Sequence, residues 1–222
     1  MGLTPEAWER AKKLVKKFDL PPDHEWLLER LTERNAHPEN AAQIDQEIWE
    51  KCGENCAILV SDTSGFTRIT KERGVLHFLA LVEKGVSLSR PIIECEQGIL
   101  LKQEADNMLC LFPTADGALR VAVGIVKALR VWNAGVEDPD SHVAFCFGVG
   151  YGKVLRLTDE VFGDEMNVAS KLGEDTAGRE EILLSKAAAE ALTGPVEGVS
   201  MGEWETVHTG NLDLPFRKAV VL

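Results

Sequence analysis

Short apolar runs alternate along this chain with longer segments in which apolar residues recur at helical spacing. The five apolar residues at 56–60 are bounded by polar and turn residues, a pattern typical of a buried strand. Residues 99–102 and 108–112 include two further apolar runs, and residues 103–107 between them have the length of a hairpin turn. These three segments predict a strand followed later by a hairpin.

The clearest helical period covers Thr114 to Asn133, where apolar residues return every three or four positions. A second helical stretch is predicted from Arg68 to about Cys95, with breaks near Gly74 and near Pro91. Gly163 to Leu172 predicts another helix, closed by the glycine that follows it.

The remaining elements continue the alternation of strands and helices. They are a strand over 143–149, a glycine-rich turn over 150–153, a strand over 182–184, a helix over 186–192 and a strand over 219–221. Because a hairpin interrupts the alternation, we expect a ferredoxin-like mixed sheet with helices on one face, an α+β fold and not a doubly wound one.

Residues 1–51 differ from the rest and predict an N-terminal helical extension. Thr4-Pro5-Glu6 is a helix start, Pro21-Pro22-Asp23 begins a second helix, and Pro38 opens a third. Each helix has one apolar stripe, so the three must pack on the main domain or on a second copy of it. We therefore divide the chain into an N-terminal extension at 1–51 and a main domain at 52–222.

Composition excludes several classes of partner. The chain has 222 residues and a net charge of −12, which argues against nucleic acid or an anionic membrane as the main partner. No apolar run approaches the length of a membrane span, and the first residues lack a signal-peptide core. The five cysteines are odd in number and lie mostly in apolar stretches, which predicts reduced thiols in a cytoplasmic protein.

Candidate chemistry begins where the first strand ends. Asp62 follows that strand, and a Ser64-Gly65 turn leads into a helix start. A carboxylate at a strand end can hold Mg²⁺, and backbone amides at a helix N-terminus can bind phosphate oxygens. The alternative is that Asp62 only caps a helix and the glycine only serves the turn.

Two further groups strengthen the case for a polyphosphate site. Asp106 lies in the predicted hairpin turn, and if that hairpin pairs beside the first strand, Asp62 and Asp106 converge on one pair of metal ions about 4 Å apart. Asn167 and Lys171 are four residues apart on a predicted helix and therefore share a face. The alternatives are an ordinary turn for Asp106 and a solvated helix face for Asn167 and Lys171.

Three blocks of sequence, in order, resemble the class III nucleotide cyclases, the adenylyl and guanylyl cyclase catalytic domain. Residues 62–67 (DTSGFT) are similar to the pattern D-I-x-G-F-T, and residues 102–106 (KQEAD) to K-x-x-G-D. Residues 162–171 (FGDEMNVASK) are similar to W/F-G-x-x-V-N-x-A-x-R. The likeness covers about residues 55–222.

This resemblance implies a homodimeric enzyme that converts ATP to 3′,5′-cyclic AMP and diphosphate with two Mg²⁺ or Mn²⁺ ions per site. Asp62 and Asp106 are similar to the two metal carboxylates, with the backbone carbonyl of Thr63 helping. In the resemblance, Gly65, Phe66 and Thr67 correspond to the cyclase residues that lie along the triphosphate.

The resemblance also assigns the residues that recognise the nucleotide and stabilise charge. Lys102 and Glu160 correspond to the pair that reads the purine, and a lysine at the first position favours adenine. Asn167 corresponds to the ribose-orienting asparagine, and Lys171 takes the place of an arginine that acts on the α-phosphate. In the family, one protomer supplies the metal carboxylates and the other supplies these four residues.

Three positions depart from the family pattern. Lys171 replaces an arginine and loses the planar two-pronged grip on phosphate. Ala105 replaces a turn glycine, and Glu160 is one methylene longer than the usual aspartate. The departures leave two alternatives open, a cyclase-like nucleotide-binding or regulatory module that has lost turnover and a cyclase for another nucleoside triphosphate.

Overall fold

A computed structural model describes residues 21–210 and 212–222 of the protein. The helix predicted at Thr4-Pro5-Glu6 lies outside these residues. The described chain divides into two compact units, a smaller one formed by the residues up to Gly53 together with Leu155–Val161, and a larger one formed by Glu54–Val154 and Phe162–Leu222. Within the described ranges, no helix is long and apolar enough to cross a membrane.

The smaller unit is built from two helices and one returning segment. Helix α1 is His24–Ala36, a 3₁₀ turn follows at Pro38–Asn40, and α2 is Ala41–Cys52, which confirms the helices predicted at the two proline sites. Asp23 caps α1 by accepting a hydrogen bond from the backbone N–H of Trp26 at 2.9 Å. A buried apolar cluster joins the helices to the returning segment, and its members are Leu27, Ile44, Ile48, Cys52 and Leu157.

The remaining elements include the strands and helices that the hydrophobic pattern predicts, together with strands at Val161–Phe162 and Val199–Thr209 that it does not predict. The further helices are α3 Phe66–Arg73, α4 Val75–Cys95, α5 Ala115–Ala134, α6 Asp164–Ser170 and α7 Lys186–Glu190, and a π-helical turn covers Lys171–Thr176. The strands are β1 Gly53–Thr63, β2 Ile99–Glu104, β3 Asn107–Phe112, β4 Phe145–Arg156, β5 Val161–Phe162, β6 Ile182–Ser185, β7 Val199–Thr209 and β8 Leu212–Val221.

The described strands form one eight-stranded mixed sheet in the order β2-β3-β1-β4-β6-β8-β7, with β5 paired to β4. The pairs β1–β3, β2–β3, β6–β8 and β7–β8 are antiparallel, whereas β4–β6 is parallel. The predicted α+β fold with a mixed sheet is therefore confirmed, and the predicted hairpin, β2–β3, forms one edge of that sheet.

The main core lies between one face of the sheet and the two long helices, α4 and α5. Alternate side chains of the strands point into it, including Leu59 of β1 and Phe147 of β4, and Phe78 and Leu119 enter from the helices. The shorter helix α6 leads into a second apolar cluster, which contains Leu183 of β6. The residues on either side of Leu183 in β6 face the main core, so Leu183 faces the opposite side of the sheet. The long helices thus share one face, as predicted, and α6 lies against the other.

Three local predictions are wrong. Helix α4 does not break at Pro91. Proline has no N–H to donate to the carbonyl of Ser87, but both residues are exposed, so water can bind that carbonyl instead. Residues 150–153 continue strand β4 and form no turn. The helix around α6 does not close at Gly173 but runs on as a π-helical turn to Thr176.

Glycines in β4 allow helix α6 to pack closely against the strand. A Cβ at Gly148 would lie 2.0 Å from the carbonyl oxygen of Ala169, and one at Gly150 would lie 2.5 Å from the carbonyl oxygen of Glu165. The glycine-rich pattern therefore marks a close approach of α6 to the strand.

Candidate active site

The ends of β1 and the β2–β3 hairpin meet, and this brings the two predicted metal carboxylates together. Strand β1 pairs with β3, and the N–H of Met108 donates to Ser61 Oγ at 3.2 Å. Thr63 Oγ1 donates to the backbone carbonyl of Asp106 at 3.1 Å. The hairpin thus pairs beside the strand that carries Asp62, which is the condition that the sequence argument set.

Asp62 and Asp106 interact directly in this arrangement. Burial raises the pKa of Asp62, a hydrogen bond from the backbone N–H of Thr63 lowers it, and the negative charge of Asp106 and a hydrogen bond between the two carboxyl groups raise it again. Two carboxyl groups close enough to share a hydrogen bond favour either a shared proton or a bound cation. An all-oxygen donor set suits a hard cation such as Mg²⁺ or Mn²⁺.

The segment after Asp62 turns sharply into α3. Gly65 has a φ of +99°, a conformation that favours glycine, and α3 begins at the next residue. The N–H of Ser64 donates to the carbonyl of Ala144 at 3.0 Å, and the ring of Phe66 packs edge-on against Phe78 at 4.8 Å between centroids. Gly65, Phe66 and Thr67 are therefore held directly beside the carboxylate end of β1.

The hairpin also carries Lys102 and the alanine that departs from the family pattern. Lys102 Nζ lies 2.8 Å from a carboxylate oxygen of Glu104 on the same strand. Ala105 has a φ of +49°, the left-handed conformation for which a glycine would be suited. The alanine at this position therefore carries backbone strain that a glycine would avoid.

Asn167 and Lys171 lie one helical turn apart, as predicted. The backbone N–H of Lys171 donates to the carbonyl of Asn167, so the helical spacing holds across the junction with the π-helical turn. Helix α6 is fixed to the sheet by Glu165, whose Oε2 accepts hydrogen bonds from the N–H of Tyr151 at 3.1 Å and from Ser185 Oγ at 2.6 Å. The sequence analysis did not identify Glu165.

The π-helical turn contributes two acidic residues that the sequence analysis also missed. Lys171 Nζ donates to Asp175 Oδ2 at 2.9 Å, and the charge of Asp175 raises the pKa of Asp62. Burial and the nearby charge of Asp62 raise the pKa of Glu174. The sequence does contain a signal for the Lys171–Asp175 ion pair, because the two residues have opposite charges and are four positions apart. No sequence signal indicates that Glu174 and Asp175 lie near Asp62, since only the fold brings them there.

Glu160, predicted to read the base together with Lys102, belongs to the smaller unit, where a carboxylate oxygen lies 4.0 Å from His24 Nδ1. The roles in nucleotide recognition and charge stabilisation that the resemblance assigns to Lys102, Glu160, Asn167 and Lys171 remain predictions.

The cysteines are all free, as expected for reduced thiols, and all but Cys95 are buried. Burial raises the pKa of Cys110 to about 12, and burial together with the charge of Asp62 raises that of Cys146 to about 11. In the described part of the chain, no group of three or more His, Cys, Asp or Glu side chains is arranged to hold a metal ion. An ion beside Asp62 would therefore take further oxygens from backbone, water or a bound phosphate.

The chain is similar in sequence to curated adenylate cyclases. No protein-family model matches the chain. A Rhizobium meliloti protein, named provisionally as adenylate cyclase 3, is 26% identical over 161 residues, which are 72% of this chain and 24% of that protein. The adenylate cyclase of Streptomyces coelicolor is 26% identical over 148 residues, which are 67% of this chain and 36% of that protein.

The fold comparison points the same way. The crystal structure of an adenylate/guanylate cyclase/hydrolase from Silicibacter pomeroyi matches with a TM-score of 0.65 and 23% identity, covering 75% of this chain and 95% of that one. The resemblance to the class III nucleotide cyclases is confirmed. The chain spans about a quarter to about a third of the length of these two curated cyclases. The three blocks that resemble class III cyclase motifs lie at the end of β1, in the β2–β3 hairpin and on α6.

Proposed function

We propose that this chain is a nucleotide cyclase that converts ATP to 3′,5′-cyclic AMP and diphosphate. The observation that carries the proposal is the pairing of Asp62 with Asp106, brought together by the β1–β3 register and the contact of Thr63 with the hairpin. Two interacting carboxylates beside a glycine turn and a helix start suit a triphosphate and its metal ions.

The metal ligands in this proposal are the carboxylates of Asp62 and Asp106 and the backbone carbonyl of Thr63, and the ions are Mg²⁺ or Mn²⁺, two per site. When bound, such ions neutralise phosphate charge and lower the pKa of a coordinated hydroxyl. The close approach of the two acidic groups supports this assignment, because a cation would relieve their repulsion.

The reaction is a displacement at phosphorus. The ribose 3′-oxygen forms a bond to the α-phosphorus, the bond from that phosphorus to the bridging oxygen of the β-phosphate breaks, diphosphate leaves, and the hydroxyl proton passes to solvent. Backbone amides of Gly65, Phe66 and Thr67 at the start of α3 bind the phosphates. Lys171 stabilises the negative charge that develops on the α-phosphate, and a preorganised donor there is worth about 3–4 kcal/mol.

Base choice and assembly complete the proposal. Lys102 and Glu160 read the adenine edge, and Asn167 orients the ribose. Lys102 can donate to an adenine ring nitrogen but offers no acceptor to the guanine N–H, which supports ATP over GTP. Because the class III cyclases that the chain resembles share each site between two chains, the active form is a homodimer.

The test is a product assay on purified protein with each of the four nucleoside triphosphates and Mg²⁺ or Mn²⁺. Mass spectrometry should detect cyclic AMP as the main product. Asp62→Asn and Asp106→Asn should each abolish it while the protein stays folded, and the matched control Asp213→Asn, an exposed aspartate paired with His208, should retain full turnover. Near wild-type turnover in either of the first two variants would refute the metal-site assignment.

The second candidate is a cyclase-like module that binds nucleotide without turning it over. Two observations favour it, the strained backbone at Ala105 and the pairing of Lys171 with Asp175 of its own chain. Saturable ATP binding that depends on Asp62, with no cyclic product from any triphosphate, would establish this alternative.

A further inference from the structure

A second concave site lies in the larger unit, away from the two carboxylates. A cavity of about 400 Å³ is bounded by α5, α7, the loop that follows α7, and strands β7 and β8. This volume falls within the range of small-molecule sites. Strands β8 and β7 end the sheet on the side opposite to the β2–β3 hairpin, so this cavity is separate from the candidate active site.

Apolar side chains form the larger part of the cavity wall. Leu119 enters from the main core, and the partly buried side chains of Leu192, Val196, Val199 and Met201 pack against that core around it. A wall of this kind favours an apolar body in place of water.

One charged side chain, Arg217 of β8, lines the same cavity. The β7–β8 register shifts between Met201 and Trp204, and Arg217 satisfies carbonyls at that bulge. Its Nε donates to the carbonyl of Gly202 at 2.8 Å, and Nη2 lies 3.5 Å from the carbonyl oxygen of Met201. The guanidinium also lies 5.6 Å from the centre of the Trp204 ring. These contacts hold the cation in place before any ligand arrives.

The contacts of Arg217 leave its charge unneutralised. Backbone carbonyls and an indole ring carry no net charge, and Arg217 forms no ion pair with a carboxylate of the described chain. The buried acid Asp116 accepts hydrogen bonds from the N–H and hydroxyl of Thr193, a residue of the cavity wall, but Asp116 itself does not line the cavity. The cavity therefore combines an apolar wall with one positive end.

We propose that this cavity binds a small amphipathic carboxylate, with its carboxylate group on Arg217 and its apolar body against Leu119, Val196 and Val199. A guanidinium has five N–H donors in a planar fork that matches a carboxylate, and two carbonyl contacts leave donors for a ligand. The site is independent of the cyclase proposal, since it shares no residue with the candidate active site.

Isothermal titration of the full chain with octanoate and with its neutral counterpart octanamide tests the proposal. Octanoate should bind saturably at one molecule per chain, and about tenfold or more tightly than octanamide, because hydrogen bonds to a charged group discriminate at this level. Arg217→Gln should remove that difference. The matched control Arg179→Gln removes an equal charge at an exposed site and should leave both affinities unchanged.

A cavity-filling variant keeps the test independent of how Arg217→Gln folds. Ala189→Leu places extra volume in the wall and should weaken octanoate and octanamide alike by about tenfold or more. Binding of octanoate to wild type no tighter than that of octanamide, binding insensitive to Ala189→Leu, or several molecules bound per chain would each overturn the proposal. Loss of octanoate binding alone in a folded Arg217→Gln protein would support it.

Discussion

Ala105 occupies a backbone conformation that favours glycine. Its φ of +49° brings the Cβ of an L-residue close to the following carbonyl oxygen, which costs about 1–2 kcal/mol. Ala105→Gly should therefore stabilise the protein, and a gain of about 1 kcal/mol would raise Tm by about 2–4 °C at this chain length. Thermal unfolding followed by circular dichroism measures this shift.

A helical alanine provides the control of opposite sign. Ala128 lies inside α5, and Ala128→Gly should lower Tm because glycine costs about 1 kcal/mol in a helix interior. If Ala105→Gly also lowered Tm, the hairpin turn would not be strained in the way its dihedral angle indicates.

Under the proposed function, Lys171 is the departure from the family pattern that bears most directly on rate. A lysine supplies charge to a phosphate without the planar fork of an arginine, and here it also pairs with Asp175 at 2.9 Å. Lys171→Arg should raise turnover by up to about tenfold, equivalent to about 1.4 kcal/mol in the barrier. Steady-state kinetics of cyclic AMP formation, at saturating ATP and metal, measures the change.

Lys186→Arg is a matched control for that substitution. Lys186 is exposed and faces Glu190 four residues later, as Lys171 faces Asp175, but it begins α7 away from the candidate site. Its replacement should leave turnover unchanged. A Lys171→Arg protein that folds and dimerises normally yet is no faster would show that Lys171 does not limit the rate.

The contact between α6 and β4 connects the fold to the proposed catalytic residues. A Cβ at Gly150 would lie 2.5 Å from the backbone oxygen of Glu165, so Gly150→Ala must displace α6, and with it Asn167 and Lys171. We expect a loss of about 1–3 kcal/mol of stability and a fall in turnover of about tenfold or more. Thermal unfolding and the cyclase assay measure the two effects separately.

Gly152 provides a comparison on the same strand. A Cβ there would meet the Cγ of the Glu165 side chain at 3.0 Å, and that side chain can move more easily than backbone. Gly152→Ala should therefore be milder than Gly150→Ala in both measurements. Equal effects of the two substitutions would show that backbone packing of α6 on β4 does not position the site.

The same strand shows what the sequence could and could not predict about elements. The period of apolar residues predicted the long helix α5, and the apolar runs predicted the β2–β3 hairpin, because those patterns depend on local spacing. The glycines at 150–153 predict a turn, whereas in the structure they allow a helix to pack across the strand. A glycine pattern alone does not distinguish a turn from a close tertiary approach.

The candidate site divides in a similar way. The sequence predicts Asp62 and Asp106 as partners, because a hairpin that pairs beside a strand brings its turn close to the end of that strand. This prediction does not depend on the rest of the fold. Glu165, Glu174 and Asp175 were missed, since their contacts with β4, β6 and Asp62 arise only when α6 and its π-helical turn fold onto the sheet. Charges on a predicted helix resemble a solvated face until the partner strand is known.

Across the whole molecule, the open question is whether one chain or two build the site. Within one chain, Asp175 pairs with Lys171 and its charge also acts on Asp62, so a site inside a single chain is a real alternative. The class III cyclase resemblance implies the other arrangement, in which Asp62 and Lys171 of one site come from different protomers. A symmetric dimer would then contain two equivalent composite sites.

Complementation decides between these arrangements. Asp62→Ala and Lys171→Ala should each be inactive alone, and an equal mixture that exchanges subunits should recover activity. Random pairing makes half of the dimers mixed, and one of the two sites in each mixed dimer draws intact Asp62 and intact Lys171 from different chains, so about a quarter of wild-type activity is expected. Differently tagged variants, copurified before assay, establish that exchange has occurred. If mixed dimers form and stay inactive, the shared-site model is wrong, and the Lys171–Asp175 pair near Asp62 becomes the starting point for a site within one chain.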